Sequence, residues 1–271
     1  LIEDKIYDLI IIGGGINGAG IARDAAARGL SVLLFEKGDF GSGTSWTSTK
    51  LIHGGLRYLE RYEFYLVRES LREREVLLRT APHLVRPLPF AIPIYKDRIY
   101  GSTKVKLGMI AYDVLSFDKS LPPHRSLSRE GFLRSDPSIT PDGLKRVFIY
   151  YDCQVNYPER LCLGNALSAR DCGAQVVNYS RVDGIIAARG VAIGVRVQDE
   201  SAKDVYEVRG RVVVNAAGPW VDDVCRLQSG SARRKIGGTK GSHIVTPQIK
   251  GGPRSALYAP AKKDGRPFVI V

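Results

Sequence analysis

Residues 7–18 read Tyr-Asp-Leu-Ile-Ile-Ile-Gly-Gly-Gly-Ile-Asn-Gly. The first six are a short, β-branched, apolar run, the kind that forms a parallel strand buried on both faces. Three glycines then turn the chain. Residues 16–28, rich in alanine, predict a helix that stops at Gly29. Residues 31–35, Ser-Val-Leu-Leu-Phe, predict a second strand ending at Glu36. The result is a βαβ unit around Gly13-x-Gly15-x-x-Gly18. In such a unit Gly13 allows the tight turn, and Gly15 lets the backbone approach a pyrophosphate seated on the helix N-terminus. Gly18 lets helix and strand pack closely. Glu36, 23 residues after Gly13, is suited to accept hydrogen bonds from a ribose and to repel a 2′-phosphate.

Working outward, a polar loop from Gly38 to Thr49 stands where an NAD dehydrogenase would usually begin another βαβ unit. It runs into Ser48-Thr-Lys-Leu-Ile-His-Gly-Gly-Leu-Arg-Tyr58, a stretch able to fold back over a long cofactor. Far downstream, Arg211-Val-Val-Val-Asn215 predicts another buried strand, and Ala216-Ala217-Gly218 after it can lie beneath a diphosphate. One nucleotide-binding sheet interrupted by long excursions favours FAD over NAD, and Glu36 argues against NADP.

Residues 62–80 predict an amphipathic helix, with Phe64, Val67, Leu71 and Leu78 on one face and Pro82 beyond its end. Its charge run, Arg68 to Glu75, reads as a solvated face, with Glu75 and Arg79 spaced as an i,i+4 pair. Residues 86–150 carry prolines, aromatics and basic residues with weak periodicity and read as an inserted segment. A helix is expected at 159–172, stopped by Gly173, and short strands at about 176–179, 181–187, 192–198 and 205–209.

Composition bounds the classes. The chain has 271 residues, 44% of them hydrophobic, which is globular and allows one large domain or two smaller ones. Its four cysteines form no CxxC pair, so neither a disulfide scaffold nor a metal site is expected. No run of about 18 apolar residues predicts a membrane span. A net charge of +12 admits an anionic substrate or a phospholipid surface. A nucleic-acid role is not expected, since no recognition helix or stacking platform accompanies the charge. The chain starts at Leu1 without an initiator Met and stops at Val271 in what reads as an unfinished strand, so it is taken as a piece of a longer protein.

Four stretches carry a resemblance: Asp8-Leu-Ile-Ile-Ile-Gly-Gly-Gly-Ile-Asn-Gly-Ala-Gly20, Ser48 to Glu60, Val214-Asn-Ala-Ala-Gly-Pro-Trp220 and Lys240-Gly-Ser-His243. They closely resemble the FAD-dependent glycerol-3-phosphate dehydrogenases, among the glycine oxidase/D-amino-acid oxidase-like flavoproteins. Lys50 to Glu60 is the most specific piece, because a generic FAD fold does not require it. The resemblance implies an α/β, Rossmann-like FAD-binding domain with an inserted α+β substrate domain. Residues 1–85 and 151–232 would be FAD-binding segments; 86–150 and 233–271 would be substrate-domain segments.

The implied activity is oxidation of sn-glycerol 3-phosphate to dihydroxyacetone phosphate by hydride transfer to FAD, with electrons passed to membrane quinone. The implied setting is peripheral, on an anionic membrane surface at the cytoplasmic face of a bacterial inner membrane or at the mitochondrial inner membrane, with a homodimer as a further expectation. The alternatives are a glycerol-3-phosphate oxidase using oxygen, an amine or amino-acid oxidase of the same fold, and a scaffold that holds FAD for structure.

By the same resemblance, Gly13, Gly15, Asn17, Gly18, Glu36, Lys37, Thr44, Ser48, Lys50, Leu51, His53, Ala217 and Gly218 bind the cofactor. Arg57 and Tyr58 meet the substrate phosphate and glycerol end, and His243 sits beside the reacting carbon as the base. His83 and His124 are expected in loops. Arg233-Arg-Lys235 reads as a solvated loop or a contact for anionic lipid. Residues 152–161 depart from the family's more acidic version, and this is read as a local surface change.

Overall fold

Strand β1 (Ile6–Ile12), helix α1 (Ile16–Ala27) and strand β2 (Val32–Phe35) form the expected βαβ unit in the computed structural model. The structure describes residues 5–96, 101–229, 233–238, 241–247, 249–261 and 267–271. The chain continues through β3 (Leu51–Ile52), α2 (Phe64–Thr80), β4 (Val85–Tyr95), α3 (Ser102–Leu115), β5 (Arg125–Ser128), α4 (Arg129–Ser135) and β6 (Leu144–Val155). Then come α5 (Pro158–Asp171), β7 (Gln175–Val177), β8 (Ser180–Ala188), β9 (Val191–Asp199), β10 (Val205–Asn215), α6 (Val221–Ser229), β11 (Ala256–Pro260) and β12 (Pro267–Ile270). Two units result, one of residues 1–50 and 157–242, the other of 51–156 and 243–271.

The first unit holds a six-stranded sheet ordered β7-β2-β1-β10-β9-β8. β1 runs parallel to β2 and β10, which flank it on both edges, and its apolar run is covered on both faces. Ile11, Val32 and Leu34 meet the alanines of α1 on one face, while Ile10, Leu33 and Phe35 pack with Val195, Val197 and Val208 on the other. Ala22, Ala25 and Ala26 of α1 are buried because small side chains let the helix lie close to the sheet. The strands expected at 205–209 and 211–215 are one strand that changes partner. Val205–Arg209 pairs antiparallel with β9, and Arg209–Asn215 runs parallel to β1.

The second unit holds a sheet ordered β12-β11-β4-β6-β3, with β5 on β6. Its centre is the long antiparallel pair of β4 and β6, from Val85↔Val155 to Tyr95↔Leu144. Pro87, Pro89 and Pro93 weaken the strand signal of β4 in the sequence. Their spacing by even numbers puts every missing N–H on one edge, the edge away from β6, since the β6 ladder runs past all three; on that edge β4 meets β11, among the described residues, at Phe90 and Ala91 alone. Val67 and Leu71 of α2 and Met109 and Tyr112 of α3 close a core over Phe90, Ile92, Phe148 and Tyr150.

Three expectations change. The chain passes between units at 50/51, 156/157 and 242/243 rather than at 85/86, 150/151 and 232/233. Residues 51–85 join the second unit because β3 pairs with β6 and α2 packs on that sheet. The charge run of α2 is not uniformly solvated: Arg74 is 0% and Glu75 5% exposed. Nor is the start of 152–161 surface, since Asp152 is 1% and Cys153 0% exposed.

Candidate functional site

In the first unit the glycine turn is fixed by backbone geometry. Gly13 has φ +108° and its N–H donates to the Phe35 carbonyl at 2.8 Å, tying the turn to the end of β2. A Cβ at Gly13 would lie 2.7 Å from the Ala216 carbonyl oxygen, and one at Gly18 only 1.9 Å from the Gly13 oxygen. Both glycines are therefore required by close approach of main chain to main chain. Glu36 accepts from Gly14 N–H through Oε2 at 2.7 Å and from Gly38 N–H through Oε1 at 2.8 Å, which aims its carboxylate along the turn. Ser45 Oγ accepts from Ile16 N–H at 3.0 Å, a contact no motif announces. Burial beneath the turn pushes the Cys162 thiol up to about 12, and its Sγ lies 3.1 Å from the Gly14 oxygen.

In the second unit the turn from His53 to Tyr58 is held from below. Gly54 is buried, and its N–H donates to Tyr112 Oη at 2.9 Å and Asp152 Oδ1 at 3.3 Å. Tyr112 donates to the same carboxylate at 2.8 Å, and Arg74 Nη1 to Asp152 Oδ1 at 2.5 Å and to the Tyr151 carbonyl at 3.0 Å. Burial holds the Asp152 carboxyl above its ordinary range against the pull of Arg74. Burial works against the Arg74 charge too, but the carboxylate opposite outweighs it and the guanidinium is held above its usual value. Gly55, at φ +68°, opens the 3₁₀ turn Leu56–Arg61 that presents Arg57 and Tyr58, and its N–H donates to His53 Nδ1 at 3.0 Å. Arg57 is exposed and, among the described residues, has no ion-pair partner. It borders a cavity of about 370 Å³ lined mostly by apolar side chains, among them Ile92, Met109 and Tyr258.

Residues 8–271 match the family described as FAD dependent oxidoreductase. The chain belongs to the FAD-dependent oxidoreductase family. It is 51% identical over 280 residues to "Glycerol-3-phosphate dehydrogenase" of Synechocystis sp., covering 100% of this chain and 51% of that protein. It is 43% identical over 258 residues to "D-erythritol 1-phosphate dehydrogenase" of Brucella abortus, covering 94% of this chain and 50% of that one. The solved glycerol-3-phosphate dehydrogenase of Bacillus halodurans, complexed with FAD, superposes with TM-score 0.70 at 26% identity, over 100% of this chain and 46% of that chain. The chain thus spans about half the length of the relatives it matches.

FAD is the cofactor of this oxidoreductase family, and the first unit fits its adenosine diphosphate. Above Gly15 a Cβ would meet only Ser45 Oγ, at 3.5 Å, so the backbone at the α1 N-terminus is open to a diphosphate. The first turn of α1, which includes Asn17, has no acidic side chain to oppose an anion. Each Glu36 oxygen takes one backbone N–H and keeps a lone pair for a ribose hydroxyl. Ala217 N–H donates to Asn215 Oδ1 at 3.2 Å, and Gly218 has φ +55°. The Lys37 ammonium stands 4.0 Å from the centroid of the Trp220 ring.

Thr44 is exposed in the loop after β2. Ser48 Oγ accepts from Lys50 N–H at 3.2 Å, and Lys50 has φ +59°. Leu51 pairs with Gln154. His243 is exposed in a stretch without regular structure and is not among the residues lining the cavity beside Arg57. His124 is held by Asp113 at 2.6 Å. Ser45, Asn215, Trp220 and the Arg74–Asp152–Tyr112 group are contacts the sequence reading did not single out.

Proposed function

We propose that the full-length protein oxidises sn-glycerol 3-phosphate to dihydroxyacetone phosphate and passes the electrons to membrane quinone. FAD, when bound, supplies the acceptor for the hydride leaving C2. Gly13, Gly15, Asn17, Gly18 and Glu36 would hold its adenosine diphosphate, with Ala217 and Gly218 beneath it; Lys37 and Thr44 would flank it, and Ser48, Lys50, Leu51 and His53 would pass along the isoalloxazine. Arg57 offers a planar fork to the phosphate dianion. Tyr58 adds a phenolic donor for the glycerol end. His243, as neutral imidazole, takes the C2 hydroxyl proton.

The observation that carries this reading is the exposed Arg57, without an ion-pair partner among the described residues, on a turn whose backbone is fixed from below. A cation so presented suits a phosphate monoester. The similarity to the Brucella abortus protein favours a second substrate of the same chemistry, a tetritol phosphate.

Purified full-length protein, assayed for dye reduction with glycerol 3-phosphate and erythritol 1-phosphate, with quinone and oxygen compared as final acceptors, tests the reading. Arg57→Ala should raise KM about tenfold to a hundredfold, with kcat less affected, since a phosphate contact persists in ground and transition states. His243→Ala should lower kcat by about 10²–10⁴ and remove the acidic limb of the pH–rate profile, FAD content staying normal. Unchanged kcat and profile in His243→Ala would assign the base to another group.

Peripheral attachment to an anionic membrane surface, of a bacterial inner membrane or the mitochondrial inner membrane, is the further part of this reading, and α3 supports the attachment itself. Its exposed Leu107, Ile110 and Val114, followed by Phe117, recur on one face beside Lys104 and Lys106. No helix among the described residues is long and apolar enough to cross a membrane. Flotation of the full-length protein with anionic vesicles should show binding at low salt that weakens at high salt; absence of binding at both counts against it.

A further inference from the structure

We infer that Asp152, with Tyr112 and Arg74, is a positioning group that fixes the substrate-facing turn through the backbone N–H of Gly54; the kinetic part of this inference rests on the role proposed for Arg57. β3 ends at Ile52, so Gly54 has no strand partner for its buried N–H. A buried N–H must be paired. Here the acceptors are side chains from two other elements, Tyr112 of α3 and Asp152 of β6. Arg74 of α2 balances the carboxylate.

Any side chain at 54 would force its neighbours to move. A Cβ there would stand 2.4 Å from Leu71 Cδ2 and 2.5 Å from Tyr112 Oη. From that fixed point Gly55 turns in the left-handed region, its carbonyl accepts the Tyr58 N–H at 2.8 Å, and the turn presents Arg57 outward. The path from Asp152 to Arg57 is thus three residues of constrained backbone.

The use made of Arg74 supports the same conclusion. Among the described residues its Nε and Nη2 have no hydrogen-bond partner, and Nη1 alone is engaged, toward Asp152 and the Tyr151 carbonyl. As a source of stability this is poor, since apolar side chains of the same volume avoid the desolvation cost of both charges. What the pair supplies that an apolar pair does not is a charged acceptor, buried and aimed at Gly54.

Two charge-free double variants of the full-length holoenzyme separate positioning from stability. Arg74→Met with Asp152→Asn keeps the acceptor at position 152, whereas Arg74→Met with Asp152→Leu removes it and leaves Tyr112 Oη as the remaining acceptor for Gly54 N–H. Tyr112→Phe removes the nearer acceptor alone. Hydrogen exchange of the peptide covering residues 51–60 is read with melting temperature, FAD content, and KM and kcat for glycerol 3-phosphate.

The Asn double variant should exchange and bind substrate like the native protein. The Leu double variant and Tyr112→Phe, folded and loaded with FAD, should exchange the Gly54 amide faster. They should also raise KM about fivefold to tenfold, with kcat within about threefold. If Gly54 exchange is native-like in the Leu variant and in Tyr112→Phe, or if KM follows melting temperature alone across all three, the inference falls. If the native protein does not oxidise glycerol 3-phosphate, the proposed function fails and the exchange result still decides the positioning.

Discussion

The two glycine turns solve the same problem with different materials. The turn at Gly13 is anchored by its own neighbourhood: Gly13 and Gly14 donate to Phe35 and Glu36, the end of the next strand. The turn at Gly54 is anchored by residues 58 and 98 positions away in sequence. In the first, main chain presses on main chain, and glycine is needed because a carbonyl occupies the space. In the second, main chain lies on side chains, which have some freedom to move. A backbone-built site is rigid as soon as its supersecondary unit exists. A side-chain-built site becomes rigid only when three elements have come together.

Alanine at each turn separates the two cases. Gly18→Ala should cost about 3 kcal/mol or more, the top of the range for overpacking, and should abolish FAD retention, because the Gly13 oxygen cannot yield without opening the turn. Gly54→Ala should cost less, about 1–3 kcal/mol, since the ends of Leu71 and Tyr112 can shift, and FAD should stay bound. Gly20→Ala, in α1 with nothing within 4 Å of its Cβ, is the control and should stabilise by about 0.5–1 kcal/mol. Denaturant melts and flavin absorbance check the series. Equal losses at Gly18 and Gly54 would erase the distinction between the two turns.

The smallest expected effect is acid lability in the second unit. Paired hydrogen bonds from Arg68, at 2.6 and 2.8 Å, hold the Asp118 carboxyl down to about 2, below its usual 3.8. A depressed carboxyl contributes stability that is fully present above its unfolded value and is lost as the pH falls toward about 2. The pair is partly exposed, so the contribution is under about 1 kcal/mol. The melting-temperature gap between the native protein and Asp118→Asn should be constant from about pH 7 to 5 and should begin to close below about pH 4. A gap that widens in acid would reverse the assignment.

The same contrast explains what the sequence makes legible. β1, α1 and β2 are readable because each carries its own periodicity, and the glycine spacing belongs to a single local unit. The helix ending at Thr80 and the one ending at Asp171 are readable for the same reason. Arg74 is not. In the sequence it sits within Arg-Glu-Arg-Glu, and only Asp152, far along the chain, makes a buried position tolerable for it. β4 is concealed by three prolines, whose common spacing matters only once β6 lies on one side of the strand. β10 reads as two strands because its pattern changes where its partner changes, at Arg209. His243 carries no local pattern of its own: it lies exposed in a stretch without regular structure, so the resemblance is what marks it.

The prolines of β4 also bear on how the chain survives its own synthesis. β11 is made long after β4, so until then that side of the strand has no partner. An open strand edge is a template on which unrelated chains can pair. Pro87, Pro89 and Pro93 remove donors along that edge, leaving it poorly receptive to a foreign strand. The short contact at Phe90 and Ala91 suffices for the native neighbour, whose side chains join the core as well. A feature that hides the strand from the reader of the sequence therefore also guards the half-made protein against aggregation.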